Sequence, residues 1–281
     1  MKKLKIFLSI LILFILFTSS ASAKVTGNYT YSDSLVTNYY PINGSGHNSE
    51  NPEWGSSVSR LGRLMPPEYS DNISAPSLSD LPNPRYISNM LCSDPAGVGS
   101  DPYDIPDERG LSDFIWVFSQ FATHDIVFTG NIRGKHQYPS DGGQHKFDIL
   151  IPEGDEIMTP GYYIPMFRSQ YDLESGTDES NPREQLNQIT SWLDGGLVYG
   201  SDNYRGDWLR TFENGLMKTT MTSEGPIPPA LDPTNSSHPG MSFEGFGGGN
   251  LVVGDVRGNE HISLLALHTI FLREHNRLAV E

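Results

Sequence analysis

Two stretches of the chain repeat apolar residues at helical spacing over more than four turns. In LSDFIWVFSQFATHDIVF, Leu111 to Phe128, the pattern predicts a helix with Ser112 as N-cap and Asp113 in its first turn. The second begins near Glu260, where HISLLAL runs on through HTIFLREHNRLAVE with no Gly or Pro to stop it. Weaker patterns predict short helices over Asn83 to Leu91, Leu186 to Leu193 and Tyr204 to Phe212. Residues 24–108 are rich in Pro, Gly, Ser and Asn and read as an irregular wrap. A further loop-rich stretch reaches Asn181, broken by the apolar FDILIPEG, and GPIPPALDPTNSSHPG followed by GFGGGN forms another long loop. With no repeat and no βαβ alternation, the expected fold is mainly α with long irregular loops.

The first residues bear on location. MKKLK is basic, IFLSILILFILF is an apolar run too short to span a bilayer comfortably, and Ala21-Ser22-Ala23 is a small-x-small site. This predicts a signal peptide over residues 1–23 and a secreted or periplasmic mature protein. An uncleaved anchor, lengthened by Thr18 to Ala23, is the alternative. No second long apolar run follows, so no stable membrane insertion is expected after cleavage. Loss of Lys2, Lys3 and Lys5 would take the net charge from −15 to −18, which argues against nucleic acid or anionic membrane as a partner. Cys92 is the single cysteine, so no intramolecular disulfide forms. Asn28, Asn43, Asn72 and Asn235 open glycosylation sequons, a pattern common by chance.

Three segments carry candidate chemistry. Gln120 and His124 are four apart and share a helix face, while Asp125 is turned about 100° away. One helix can thus aim His124 and Asp125 into neighbouring cavities, although a lone His on an apolar helix is more often a satisfied core residue. Arg257, Glu260 and His261 stand at i, i+3 and i+4 where the last helix begins, which also fits an ion-paired helix start. Arg273, Glu274 and Arg277 are expected to form such an ion network. His261, His268 and His275 are spaced by seven, a rise of about 10.5 Å that is too long for two of them to share one ion. In TSWLDGG, oxygens at Thr190, Trp192, Asp194 and Gly196 alternate if the segment is extended, as calcium could use, whereas an Asp-Gly turn is the plainer reading.

Taken together, Gln120-Phe-Ala-Thr-His124-Asp125, TSWLDGGLVYGS and GDVR…E…LHTIFLREHNRLA resemble, in order, the animal-type haem peroxidases. YYPINGSGHNSENPEWGS and LPNPRYISNML resemble the N-terminal part of bacterial members, so the likeness covers about Tyr39 to Glu281. It implies a haem b cofactor, hydrogen peroxide as oxidant, and a halide or small organic electron donor. His124 is then the distal acid–base, taking a proton from peroxide and returning it to the departing oxygen. Arg257 stabilises the developing charge, and Gln120 holds a distal water or halide. Asp125, Thr190, the Trp192 carbonyl and Asp194 match the family's calcium ligands.

The chain also departs from the family pattern. Gly196 stands where the family usually offers a serine oxygen to calcium. Glu260 matches a carboxylate that forms an ester to haem, but Thr123 replaces a second ester-forming aspartate. His261 replaces a haem-linking methionine found in some members. At most one ester is expected. The family's proximal, iron-ligating histidine lies on a helix beyond REHNRLA. Residues 24–281 are therefore expected to be the N-terminal portion of the domain, truncated before the proximal helix and inactive by itself. A non-catalytic calcium-binding remnant and a fatty-acid dioxygenase of the same superfamily are the alternative readings.

Overall fold

A computed structural model of the chain describes residues 40–77, 81–92, 108–130, 147–232, 238–241 and 251–281. The expected signal segment, the sequons at Asn28 and Asn235, and the GFGGGN stretch lie outside them. Among the described residues, five helices and three two-stranded sheets are joined by long loops. They are α1 (Pro84–Cys92), α2 (Phe114–Ile126), α3 (Gly196–Tyr199), α4 (Asn203–Leu209) and α5 (Ile262–Ala279). Strand β1 (Ser59–Arg60) pairs with β4 (Leu186–Asn187), β2 (Ile149–Leu150) with β3 (Tyr163–Ile164), and β5 (Thr220–Thr222) with β6 (Gly225–Ile227), all antiparallel.

In α2 the buried residues are Val117, Phe121, His124 and Asp125, spaced i, i+4, i+7 and i+8 along one face. In α5 they are Leu264, Leu267, His268 and Leu272. The two faces meet in a core of Val117, Phe121, Leu197, Val198, Leu264 and Leu267. A second core joins Leu209, Met217, Met241, Val252, Val253 and Leu272. Each such side chain contributes about 1.5–3 kcal/mol on full burial, so α5, which feeds both cores, organises the molecule. Leu264 is completely buried.

Local signals set the helix ends. Pro84 opens α1, where its missing N–H costs nothing, and Asn83 Oδ1 accepts from the N–H groups of Arg85 and Tyr86 at 2.8 and 3.0 Å. Arg85 then clamps Asp155 through two hydrogen bonds of 2.6 and 3.0 Å, holding that carboxyl well below its usual range. The start of α2 falls at Phe114, one residue later than Ser112 as N-cap implies. Ser112 still contributes, since its carbonyl accepts from Ile115 N–H at 2.8 Å and its hydroxyl from Phe114 N–H at 3.3 Å.

The expected helix over Leu186 to Leu193 is absent. Leu186–Asn187 is strand β4, and the fully buried Asn187 explains why. Its side chain donates to the Ile126 carbonyl at 3.0 Å and accepts from Phe128 N–H at 2.8 Å. It thus takes the backbone groups left over at the C-terminal end of α2, a task that holds residue 187 extended. Arg273 also departs from expectation. Arg277 pairs with Glu274 and Glu281, but Arg273 donates instead to the carbonyls of Pro226 and Glu224. Among the described residues, no helix is long and apolar enough to cross a membrane.

Candidate functional site

The site forms where the C-terminal half of α2 meets the loop before α5. Gly254 seats that loop against α3. A Cβ built on it would stand 2.5 Å from the Gly200 nitrogen and 2.6 Å from the Gly196 carbonyl oxygen, so the two backbones touch. Asp255 N–H then donates to the Leu197 carbonyl at 2.9 Å. From this anchor, Asp255 and Arg257 reach beneath α2.

Arg257 forms a two-pronged pair with Asp255, Nε to Oδ1 at 2.8 Å and Nη2 to Oδ2 at 2.7 Å. Its guanidinium lies 4.5 Å from the Phe128 ring centre, and Nη2 also donates to the His124 carbonyl at 3.3 Å. Burial of Asp255 would raise its pKa, but the hydrogen bonds and charge of Arg257 outweigh that and hold it below the usual range. His124 is 5 % exposed, and burial followed by the charge of Arg257 pushes its pKa down to about 4. The imidazole is therefore neutral at pH 7. Its Nδ1 is buried without a hydrogen bond, 3.9 Å from Asp255 Oδ1, and its Nε2 stands 3.8 Å from Glu260 Oε2. Both separations are too long for hydrogen bonds.

Gln120 lies one turn before His124. Its amide Nε2 donates to Glu260 Oε2, and its Oε1 bonds to His261 Nε2 at 2.9 Å. Burial raises the pKa of Glu260. The seven-residue histidine stripe separates into three roles. His261 caps α5, His268 is buried edge-on against Phe121, and His275 bonds to Tyr199 and the Gly215 carbonyl. Both ring nitrogens of His268 lack partners, and burial pushes its pKa to about 4.

Asp125, the neighbour of His124, is turned about 100° from it along α2 and meets the start of α3. Its Oδ2 and Oδ1 accept from the N–H groups of Gly195 and Leu197 at 3.1 and 3.0 Å. Burial is the largest effect on it and, with Asp194 adding to it, raises its pKa to about 6. The 190–196 segment is not extended. It bends, and α3 starts at Gly196. Thr190 Oγ1 donates back to Asp194 at 3.0 and 3.2 Å, and the Gly196 carbonyl is taken up by Gly200 N–H at 2.7 Å. The Trp192 indole stacks on His47, which stacks on Tyr40.

Ser201 adds an oxygen that sequence reasoning missed. A Cβ on Gly196 would meet Ser201 Oγ at 3.0 Å, Asp194 Oδ1 at 3.1 Å and Thr190 Oγ1 at 3.7 Å. Three oxygens therefore surround the space a side chain at 196 would fill. Asp255 was also missed, although a carboxylate two residues before Arg257 was the available signal. The remaining site residues converge in two neighbouring groups. His124, Arg257, Gln120 and Glu260 form one, and Asp125, Thr190 and Asp194 form the other.

Known proteins match most of this chain. The family described as animal haem peroxidase matches residues 39–281. Human thyroid peroxidase is 31% identical over 276 residues, covering 87% of this chain and 29% of its own length. Golden hamster (Mesocricetus auratus) lactoperoxidase is 31% identical over 266 residues, covering 86% and 36%. The chain thus spans about a third of these relatives. Peroxidase A of Dictyostelium discoideum superposes with a TM-score of 0.67 at 26% identity, over 86% of this chain and 45% of that one. A fatty acid alpha-dioxygenase of Arabidopsis thaliana, at 19% identity and a TM-score of 0.54 over 82% of this chain and 29% of that one, shares the fold alone. The chain belongs to the animal haem peroxidase family.

Proposed function

We propose that these residues form the distal side of a secreted haem peroxidase that reduces hydrogen peroxide and oxidises a halide or small organic donor. The observation that carries this reading is His124. It is a buried, neutral imidazole with an unbonded nitrogen, beside a guanidinium and within 4 Å of a carboxylate from another element. Haem, when bound, would supply the redox chemistry itself.

His124 would accept a proton from peroxide and return it to the departing oxygen, as its depressed pKa allows at neutral pH. Arg257, oriented by Asp255, would stabilise negative charge as that oxygen leaves. Gln120 would hold a small ligand beside His124. Glu260, whose pKa is raised by burial, would provide the single ester link to the haem edge. The residue that ligates iron is proposed to lie outside the described residues. Export is supported by the basic and then apolar N-terminal sequence.

The second group is proposed to hold calcium. Asp125, Thr190, Asp194 and the Trp192 carbonyl would contribute oxygens, with Ser201 Oγ taking the place of the side chain missing at Gly196. The buried carboxylate of Asp125, with its pKa raised by burial and by the charge of Asp194, fits a cation, although the N–H groups of Gly195 and Leu197 already satisfy part of it. Such an ion would fix the far side of the helix that carries His124.

The test is haem loading of the exported full-length protein, followed by stopped-flow reaction with peroxide. His124→Ala should retain the Soret band and lose about 10²–10⁴-fold in the peroxide step. An unchanged rate would make His124 structural.

A further inference from the structure

His261 stands next to Glu260 yet touches Gln120, which is 141 positions away. Its two ring nitrogens have different partners, and these fix its tautomer. Nδ1 lies 3.2 Å from Leu264 N–H, one of the orphan donors in the first turn of α5. A backbone N–H can only donate, so Nδ1 accepts and carries no proton. The proton of the neutral ring is then on Nε2, which donates to Gln120 Oε1 at 2.9 Å.

This in turn fixes the amide of Gln120. With its oxygen turned to His261, its NH₂ faces Glu260, to which it donates. The flipped amide would set NH₂ against Nε2–H and its oxygen against a carboxylate, so both contacts would become repulsive. The Trp116 ring, 4.7 Å from His261, backs the imidazole on its other side. The Glu260 Oε2 that accepts from Gln120 also lies 3.8 Å from His124 Nε2. The amide donor of Gln120 and the imidazole of His124 therefore flank one carboxylate oxygen.

We infer that His261 is a positioning residue. By capping α5 with one nitrogen and holding Gln120 with the other, it presents the amide of Gln120 to the distal space as a donor. The inference rests on the peroxidase reading above. A carboxamide free to rotate would present its oxygen part of the time and repel an anion.

The probe is fluoride, titrated against the ferric, haem-loaded full-length protein and read from the high-spin charge-transfer band. His261→Asn keeps a good N-cap but is too short to reach Gln120, which separates the two roles. It should retain the wild-type melting temperature while fluoride affinity falls about tenfold, the worth of a hydrogen bond of about 1.4 kcal/mol. Gln120→Leu should lose at least as much, and the double variant should be no weaker than Gln120→Leu alone. If His261→Asn does not fold, His261→Ser provides a second capping side chain for the same cycle. Unchanged fluoride affinity in the capping variant, or losses that add in full, would overturn the inference. A protein with no Soret band would overturn the peroxidase reading itself, an outcome distinct from either.

Discussion

Asp125 and Asp255 are joined through a single residue: Leu197 donates its N–H to Asp125 at 3.0 Å, and its carbonyl accepts the N–H of Asp255 at 2.9 Å. One carboxylate belongs to the proposed calcium group and the other orients Arg257. The two groups are therefore mechanically continuous, through one residue of α3.

Removing Asp255 should cost more than one contact. Asp255→Ala leaves the mostly buried Arg257 without its counter-charge, and loss of about 3–5 kcal/mol is expected in denaturant unfolding. The charge of Asp255 also supports protonation of His124, so the variant should lower the His124 pKa further, measurable by NMR titration. A change under 1 kcal/mol, with His124 unmoved, would mean that Arg257 is oriented by something else.

Stability should fall on acidification in a defined window. His124 and His268 have folded pKa values pushed down to about 4, against about 6.5 unfolded. Between those values the unfolded state binds protons that the folded state does not, so their contribution is complete above about pH 6.5 and is lost as pH falls to about 4. Asp125, raised to about 6, acts in the opposite sense over its own range and partly offsets one histidine. His268→Phe should flatten the curve; an identical pH slope would show that His268 is not buried neutral.

Calcium affinity should be sensitive to the same protons. A site using Asp125 must displace its proton below about pH 6, so affinity should drop about tenfold per pH unit there. Asp194→Ala should abolish the calorimetric signal, and Ser201→Ala should weaken it. Equal heats for wild type and Asp194→Ala would remove calcium from this loop.

Gly254→Ala should loosen both groups together. Its Cβ would collide with backbone at Gly200, Val198 and Gly196, none of which can turn aside, so at least about 2 kcal/mol should be lost. Gly62→Ala, where nothing lies within 4 Å, is the control and should change stability by less than about 0.5 kcal/mol. Equal melting temperatures for the two variants would contradict the close approach.

The two long helices, their buried faces and the family were legible in the sequence, because a 3.6-residue apolar period and the GDVR and REHNRLA segments are local signals. The short helix opened by Pro84 was legible for the same reason. The false helix over Leu186 to Leu193 shows where local pattern fails. Asn187 is held extended by the orphaned backbone at the end of α2, about sixty residues earlier in the chain. Tertiary structure alone decided the contacts of Asp255, Ser201 and His261. Each is one that spacing cannot reveal: a carboxylate turned back on Arg257, a hydroxyl beside the space left by Gly196, and an imidazole reaching Gln120 from another helix. Sequence determined which groups could do chemistry. Burial and the touching backbones at Gly254 decided which of them meet, because only packing sets the distances on which proton transfer and ion binding depend.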